Sequence, residues 1–367
     1  MKIKKLQIRN FKSLVDFELE DLKPFCAFVG PNASGKSNIF EALEFTNYIV
    51  RYTHEAPRFF GGLADIYSYN AHPILDHNNI LVKDSMFFSY DFDDDINIGF
   101  HASFLGVEES QNLFGSISSI GSSKPFRGVS PLPSFEIRDL PKRRKFIESW
   151  GNAGNSYDNE YEQFVDNFGR IFIGKRELNR TPAVNTRLSP DALNLPQVIG
   201  AIFESKEKRE DFIEWLRILI PEFSKIDVRR SNIDGKYEFF IYEKGSSKPF
   251  PRNLISDGTY NILALLSSVY QSDQPQFLCI EEPENGLHPQ AIELLVDFFR
   301  EQCEEKGHHI WLNTHSQTLV RHLEIEEVIL VNKVNGATKA KQLTKRYDVD
   351  IRTDEAWLTN ALGGGVL

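Results

Sequence analysis

The sequence predicts an α/β domain: a mixed β-sheet with flanking helices, interrupted by an enlarged α+β insertion lobe. Three observations carry this. The apolar run Phe25–Val29 leads into a glycine-containing loop and a helical stretch. A second apolar run, Phe277–Ile280, ends in two acids and precedes another helical stretch. Unbroken runs of this kind mark strands buried on both faces. Between the two ordered ends lies a long, irregular middle.

The elements follow in chain order. Ile3, Leu6 and Ile8 share one face of a first strand, and Phe17–Leu19 begins a second. Phe25–Val29 is the third, followed by a helix from about Lys36 to Val50. Phe87–Phe104 alternates as one or two antiparallel strands, broken at the acidic turn Asp91–Asp95. Ser118–Pro133, rich in Gly, Ser and Pro, reads as a loop. Pro141–Trp150 and Glu160–Phe168 read as short helices, and Asp211–Ile220 as a helix with Phe212, Trp215, Leu216 and Leu219 at helical spacing. Ile226–Tyr242 reads as a hairpin turning at Asp234-Gly235. Order returns with a helix at Thr259–Val269, the strand Phe277–Ile280, a helix at Gln290–Lys306, and strands at His309–Leu312 and Glu327–Asn332. The polar C-terminal stretch holds a small apolar cluster at Trp357–Leu362 and ends on Gly363-Gly364-Gly365, expected to be mobile. No internal repeat or sustained heptad supports a solenoid or long coiled coil.

Composition excludes several classes. With 41% hydrophobic and 26% charged residues, the 367-residue chain can bury a core and is not wholly disordered. A net charge of −10 excludes a surface that is basic all over, so nucleic acid could be met only through a local patch. Cys26, Cys279 and Cys303 are far apart and form no CxxC, which argues against disulfide frameworks and zinc knuckles. The longest apolar runs, Ile262–Val269 and Phe277–Ile280, fall well short of the roughly 20 residues of a membrane span. The N-terminal MKIKKLQIRNFKSL has no apolar signal core. A cytoplasmic protein without a membrane role is expected.

The strongest motif is Gly30-Pro31-Asn32-Ala33-Ser34-Gly35-Lys36-Ser37, which fills the P-loop pattern GxxxxGK[ST] between a buried strand and a helix. Its backbone N–H groups and the helix N-terminus can cradle phosphates. Lys36 can reach the terminal phosphates, and Ser37 can hold Mg²⁺. Next, the strand Phe277–Ile280 delivers Glu281 and Glu282 at its C-terminal end, where open α/β sheets bind ligands. There Glu281 would bind Mg²⁺ and Glu282 would polarise a water. Thr314-His315-Ser316 follows another strand, so His315 could reach a phosphate or that water; a capping histidine is the blander reading. Ser256-Asp257-Gly258-Thr259 opens a helix, where Ser256 or Asp257 could simply be an N-cap.

Together these motifs resemble the ABC-type ATPases, in the branch that holds the SMC, RecF and OLD-family proteins. Ser256-Asp257-Gly258 stands at the signature motif. Glu281-Glu282-Pro283-Glu284-Asn285-Gly286-Leu287-His288-Pro289 resembles the extended Walker B and D-loop, and His315 the switch histidine. Ile8-Arg9-Asn10-Phe11-Lys12-Ser13 is similar to that branch's first strand and turn, near the nucleotide. Asp191–Pro196 narrows the likeness to compact AAA/OLD-like ATPases. The specific motifs cover 1–50 and about 250–335. Two features depart: Glu281 stands where most ABC proteins carry Asp, and no Q-loop glutamine can be placed.

The resemblance implies an ABC-ATPase head of the P-loop NTPase class that hydrolyses ATP with Mg²⁺. Residues 1–60 and 250–335 would form a split nucleotide-binding core, 61–249 an inserted lobe and 336–367 a C-terminal extension. Asn10, Lys12, Gly30, Asn32, Ala33, Ser34, Gly35, Lys36, Ser37, Asn38, Ser256, Asp257 and Gly258 would contact nucleotide. Ser37 and Glu281 would hold the metal; Glu282 and His315 would be catalytic. Ser256 and Gly258 of one copy would cap the ATP held by another, so that a homodimer, or a higher assembly of dimers, sandwiches two ATP molecules. The expected output is control of an effector encoded nearby, a nuclease or toxin, in antiphage defence or DNA processing. The stretch after residue 335 is too short for a Toprim nuclease, so none is expected in this sequence. The alternative is a RecF-like ATP-gated clamp in DNA repair, touching nucleic acid through Lys142, Arg143, Arg144 and Lys145; a solvated helix face is their plainer reading. The insertion and the GLHP turn disfavour a transporter ATPase, and intact Lys36, Ser37, Glu282 and His315 disfavour a scaffold that barely hydrolyses. Asp91–Asp95 reads as a solvated turn, His308-His309 as strand neighbours facing opposite sides, and Phe59–Gly62 as a turn on the core.

Overall fold

The computed structural model describes residues 3–72, 74–75, 81–82, 85–92, 97–104, 115–121, 166–173, 187–230, 235–343 and 354. The first strands are β1 (Ile3–Phe11), β2 (Leu14–Glu20) and β3 (Phe25–Val29), followed by helix α1 (Lys36–Tyr52). A 3-10 turn at Thr53–Phe60 and the short α2 (Leu63–Ile66) come next. Strands β4 (Ile74–Leu75), β5 (Leu81–Val82), β6 (Ser85–Phe92), β7 (Asn97–Phe104), β8 (Gly115–Gly121) and β9 (Phe168–Ile171) succeed them. Helices α3 (Leu195–Ile202) and α4 (Lys206–Leu219) precede β10 (Phe223–Arg230), β11 (Tyr237–Glu243) and β12 (Phe250–Pro251). Then come α5 (Asp257–Tyr270), β13 (Phe277–Glu281), α6 (Pro289–Lys306), β14 (His309–Thr314), α7 (Gln317–Arg321), β15 (Val328–Val334) and β16 (Ala337–Gln342).

Two sheets position everything else. The six-stranded sheet runs β16-β15-β3-β14-β13-β9. All neighbours in it are parallel except β15 and β16. The antiparallel five-stranded sheet runs β2-β1-β6-β7-β8. Strand β3 explains the double burial expected of Phe25–Val29. Phe25, Ala27 and Val29 join a core with α3, α4, α5 and α6. Cys26 and Phe28, on the opposite face, join a second core with α1 and the antiparallel sheet. Trp311 of β14 belongs to this second core, tilted 5.5 Å from the Phe28 ring.

Several expectations need correcting. Ser118 to Gly121 is strand β8, not loop. Phe168 opens β9 instead of closing a helix, because its segment pairs in parallel with Phe277–Ile280. Two strands also cross the divisions drawn from sequence: β9 lies in the core sheet, and so does β16, paired with β15. The remainder of Ser118–Pro133, the helix expected at Pro141–Trp150, the patch Lys142–Lys145, the tip of Asp91–Asp95, the Trp357–Leu362 cluster and Gly363–Gly365 lie outside the described residues. The hairpin pairs Ile226 with Ile241 as β10 and β11. Among the described residues, no helix is long and apolar enough to cross a membrane. Nor does any group of three or more His, Cys, Asp or Glu side chains there form a metal cluster. His308 Nδ1 instead accepts the Gln276 N–H at 3.0 Å, and burial pushes its pKa down to about 4.

Candidate active site

The parallel strands β3, β13 and β14 end at the same edge, and their C-terminal loops carry the motifs. The loop after β3 turns through Ala33 at φ 63° and Gly35 at φ 99°. A Cβ on Gly35 would lie 1.9 Å from Thr338 Oγ1, so only glycine fits both the backbone and the space. Thr338 braces the loop from behind. Its hydroxyl donates to Ser34 O at 2.9 Å and shares a 2.6 Å hydrogen bond with Ser13 Oγ. Asn38 Nδ2 donates to that same Ser13 oxygen at 2.6 Å. Lys36 Nζ folds over the loop, donating to Gly30 O at 2.8 Å and Pro31 O at 2.9 Å. Burial lowers the Lys36 pKa, while the nearby charges of Glu282, Glu281 and Glu284 oppose the shift.

Strand β13 brings Glu281 to the first turn of α1. Ser37 Oγ donates to Glu281 Oε2 at 2.6 Å. Asn313 at the end of β14 donates to Ser37 Oγ at 3.1 Å and to Glu281 Oε2 at 3.3 Å. The other carboxylate oxygen of Glu281 accepts Nε and Nη2 of Arg170, the former at 2.7 Å. Arg170 Nη1 also donates to Glu44 Oε2 at 2.8 Å.

Glu282 sits one residue on, in a left-handed conformation with φ 48°. Its N–H donates to Asn313 O at 2.8 Å. This backbone turns the Glu282 carboxylate away from the β13 axis. Its Oε1 lies 3.4 Å from His315 Nδ1, and its Oε2 accepts from Asn285 Nδ2 at 2.9 Å. Thr314, the last residue of β14, donates to buried Glu284 Oε1 at 2.5 Å. Burial raises the Glu284 pKa, and the Thr314 bond opposes that rise.

The start of α5 packs against the turn after Glu282. A Cβ on Gly258 would come within 2.4 Å of Gly286 O. Asn261 Nδ2 donates to Asn285 O at 2.7 Å. Ser256 is the N-cap, its Oγ accepting the Thr259 N–H at 3.1 Å, and both Ser256 and Asp257 are exposed. Among the described residues, no hydrogen bond links Ser256, Asp257 or Gly258 to the loop at 30–38.

The structure therefore brings the Gly30–Asn38 loop, Glu281, Glu282 and His315 together, with Gly258 packed against Gly286 of the turn that follows Glu282. Asn10 and Lys12 have other partners. Asn10 Nδ2 donates to His72 O at 2.7 Å, and Lys12 Nζ lies 2.7 Å from Glu41 Oε2. Sequence reasoning missed Arg170, Glu44, Asn313 and Thr338. An arginine inside the apolar run 168–173, and an asparagine inside 309–314, were the available signals.

These donors suit a nucleotide phosphate with Mg²⁺. A hydroxyl and a carboxylate 2.6 Å apart are hard oxygen ligands beside a buried lysine and a glycine cradle. The family comparison decides the assignment. Residues 25–321 match the family described as AAA domain, putative AbiEii toxin, Type IV TA system. The chain belongs to this family. An "ATP/GTP phosphatase" of Helicobacter pylori is 21% identical over 345 residues, covering 88% of this chain and 87% of that protein. A "Chromosome partition protein Smc" of Methanocaldococcus jannaschii is 49% identical over 43 residues, 12% of this chain and 4% of that one. Among solved structures, an SMC head bound to the C-terminal winged-helix domain of ScpA has a TM-score of 0.56 at 16% identity. It covers 96% of this chain and 100% of its own. The SMC head of Thermotoga maritima has a TM-score of 0.50 at 15% identity, covering 94% of this chain and 100% of its own. The chain is thus an ATPase of the AAA type whose fold is similar to that of an SMC head. Its family implies a bound nucleotide, usually with Mg²⁺.

Proposed function

We propose that this chain is an ATP-hydrolysing switch that works in pairs and controls a partner protein. The observation that carries the reading is the Glu282 carboxylate 3.4 Å from His315, one residue beyond a Glu281 carboxylate bonded to Ser37. Gly30, Asn32–Asn38 and Lys36 in particular would hold the phosphates. Ser37 and Glu281 would hold Mg²⁺, which supplies charge neutralisation on the phosphate oxygens when bound. Glu282 would accept the proton of the attacking water, and His315 would orient that water and the terminal phosphate.

Ser256, Asp257 and Gly258 would serve a second copy. Ser256 and Asp257 are exposed on their own chain, and Gly258, half-buried, packs on Gly286 of the turn that follows Glu282. A γ-phosphate caught between two copies would hold them together, and hydrolysis would release them. The output is then a change of assembly, delivered to an effector encoded nearby. The family description, with its putative toxin, and the SMC head bound to ScpA support that part of the reading. Antiphage defence or DNA processing, in the cytoplasm, is the setting we infer.

A second reading, a RecF-like ATP-gated DNA clamp, is favoured by the 43-residue match to Smc. ATP-dependent, salt-sensitive retardation of duplex DNA would support it. The main reading is tested by ATP turnover in Glu282→Gln. Turnover should fall by roughly 10²-fold or more with nucleotide binding retained. Turnover near the wild-type rate would remove Glu282 from its role.

A further inference from the structure

We infer that Arg170 is a positioning residue for the metal-binding carboxylate, a role no motif assigns to it. The inference rests on the nucleotide reading above. Arg170 stands on β9, at the edge of the six-stranded sheet beside β13. Its side chain is 3% exposed, against 4% for Glu44 and 1% for Glu281. One guanidinium thus bridges a carboxylate on α1 and a carboxylate on β13, away from solvent.

The geometry divides the work of the Glu281 carboxylate. Oε1 takes two donors from Arg170, Nε and Nη2. Oε2 is left facing Ser37 Oγ at 2.6 Å, the other proposed metal donor. A guanidinium that donates two N–H groups to one oxygen fixes the place of that oxygen, while Ser37 and Asn313 donate to the other. Glu44 holds the guanidinium from the other side at 2.8 Å. The arrangement also supplies a positive charge in an acidic neighbourhood that contains Glu44, Glu281, Glu282 and Glu284. A glutamate is one methylene longer than an aspartate and has one more torsion to fix. Arg170 restrains it through Oε1.

Outer partners of metal ligands typically change metal affinity by about 10–100-fold when removed. The test is the melting temperature of the full chain with a fixed excess of a non-hydrolysable ATP analogue, titrated with Mg²⁺. Two variants are compared with wild type. Arg170→Lys keeps the charge and loses the fork. Arg170→Met with Glu44→Met removes the guanidinium together with the α1 carboxylate it neutralises, and leaves Glu281 held by Ser37 and Asn313. Both should melt cooperatively and bind the analogue in EDTA as wild type does. The Mg²⁺ concentration for half of the stabilisation should rise by about tenfold in each. An unchanged Mg²⁺ midpoint in both folded variants would overturn the inference and leave the nucleotide reading intact. A wild-type chain whose melting ignores Mg²⁺ and analogue would overturn that reading, and the inference with it.

Discussion

Two glycine-bearing turns of this molecule, at 30–38 and 256–258, are built in opposite ways. The loop at 30–38 is held from within its own chain: Ser13 and Thr338 brace it from behind, and Ser37 is tied to Glu281 and Asn313. The turn at 256–258 holds little besides itself. Ser256 caps its own helix and Gly258 packs on Gly286, while Ser256 and Asp257 face outward. One half of the site is thus finished by this chain. The other half, with Ser256 and Asp257 exposed, is the one the proposed reading leaves to a second copy.

Changes at the finished half should have the largest effect. Lys36→Ala removes the one ammonium that covers the loop carbonyls and should weaken ATP binding by roughly 10²-fold, since charge-assisted contacts contribute about 1.5–3 kcal/mol each. Isothermal titration would check it; affinity within a few-fold of wild type would mean that the loop holds its ligand without Lys36. Ser256→Arg attacks the outward half. It should cost about 1 kcal/mol through the lost cap, leave ATP affinity of a single copy unchanged, and cut turnover by roughly tenfold or more. If turnover survived, the contrast between the halves would have no functional meaning. Thr338→Val sharpens the comparison with the smallest effect. It keeps the shape behind Gly35 and deletes the hydroxyl shared by Ser34 and Ser13, for about 1–2 kcal/mol of stability by urea titration. A neutral result would show that packing alone braces the loop.

What the sequence made legible was local. The P-loop, the paired acids at the end of β13, and His315 each sit in a short run whose neighbours explain them. The strands Phe25–Val29 and Phe277–Ile280 were legible because burial on both faces leaves them uniformly apolar. The supporting residues were not. Arg170 reaches Glu281 and Thr338 reaches Ser34 across long stretches of chain, and neither contact leaves a local pattern. Strand β16 reads Ala-Thr-Lys-Ala-Lys-Gln, an edge strand whose outward residues are polar and whose buried Thr338 looks like any other threonine. Strand β9 is only four residues long, too short for periodicity to separate it from the helix expected there. Asn10 was expected near the nucleotide by resemblance alone; it stands in β1 at φ 61°, and its amide exchanges hydrogen bonds with the His72 backbone.

The paired-copy claim is met most directly by the solution mass of Glu282→Gln, measured by light scattering with and without Mg²⁺ and ATP, beside Lys36→Ala. The account predicts that the mass doubles only in Glu282→Gln and only with Mg²⁺ and ATP, because the closed pair forms and cannot fire. A mass indifferent to ATP in both variants would contradict it, and would leave the outward turn at Ser256 without a second copy to serve.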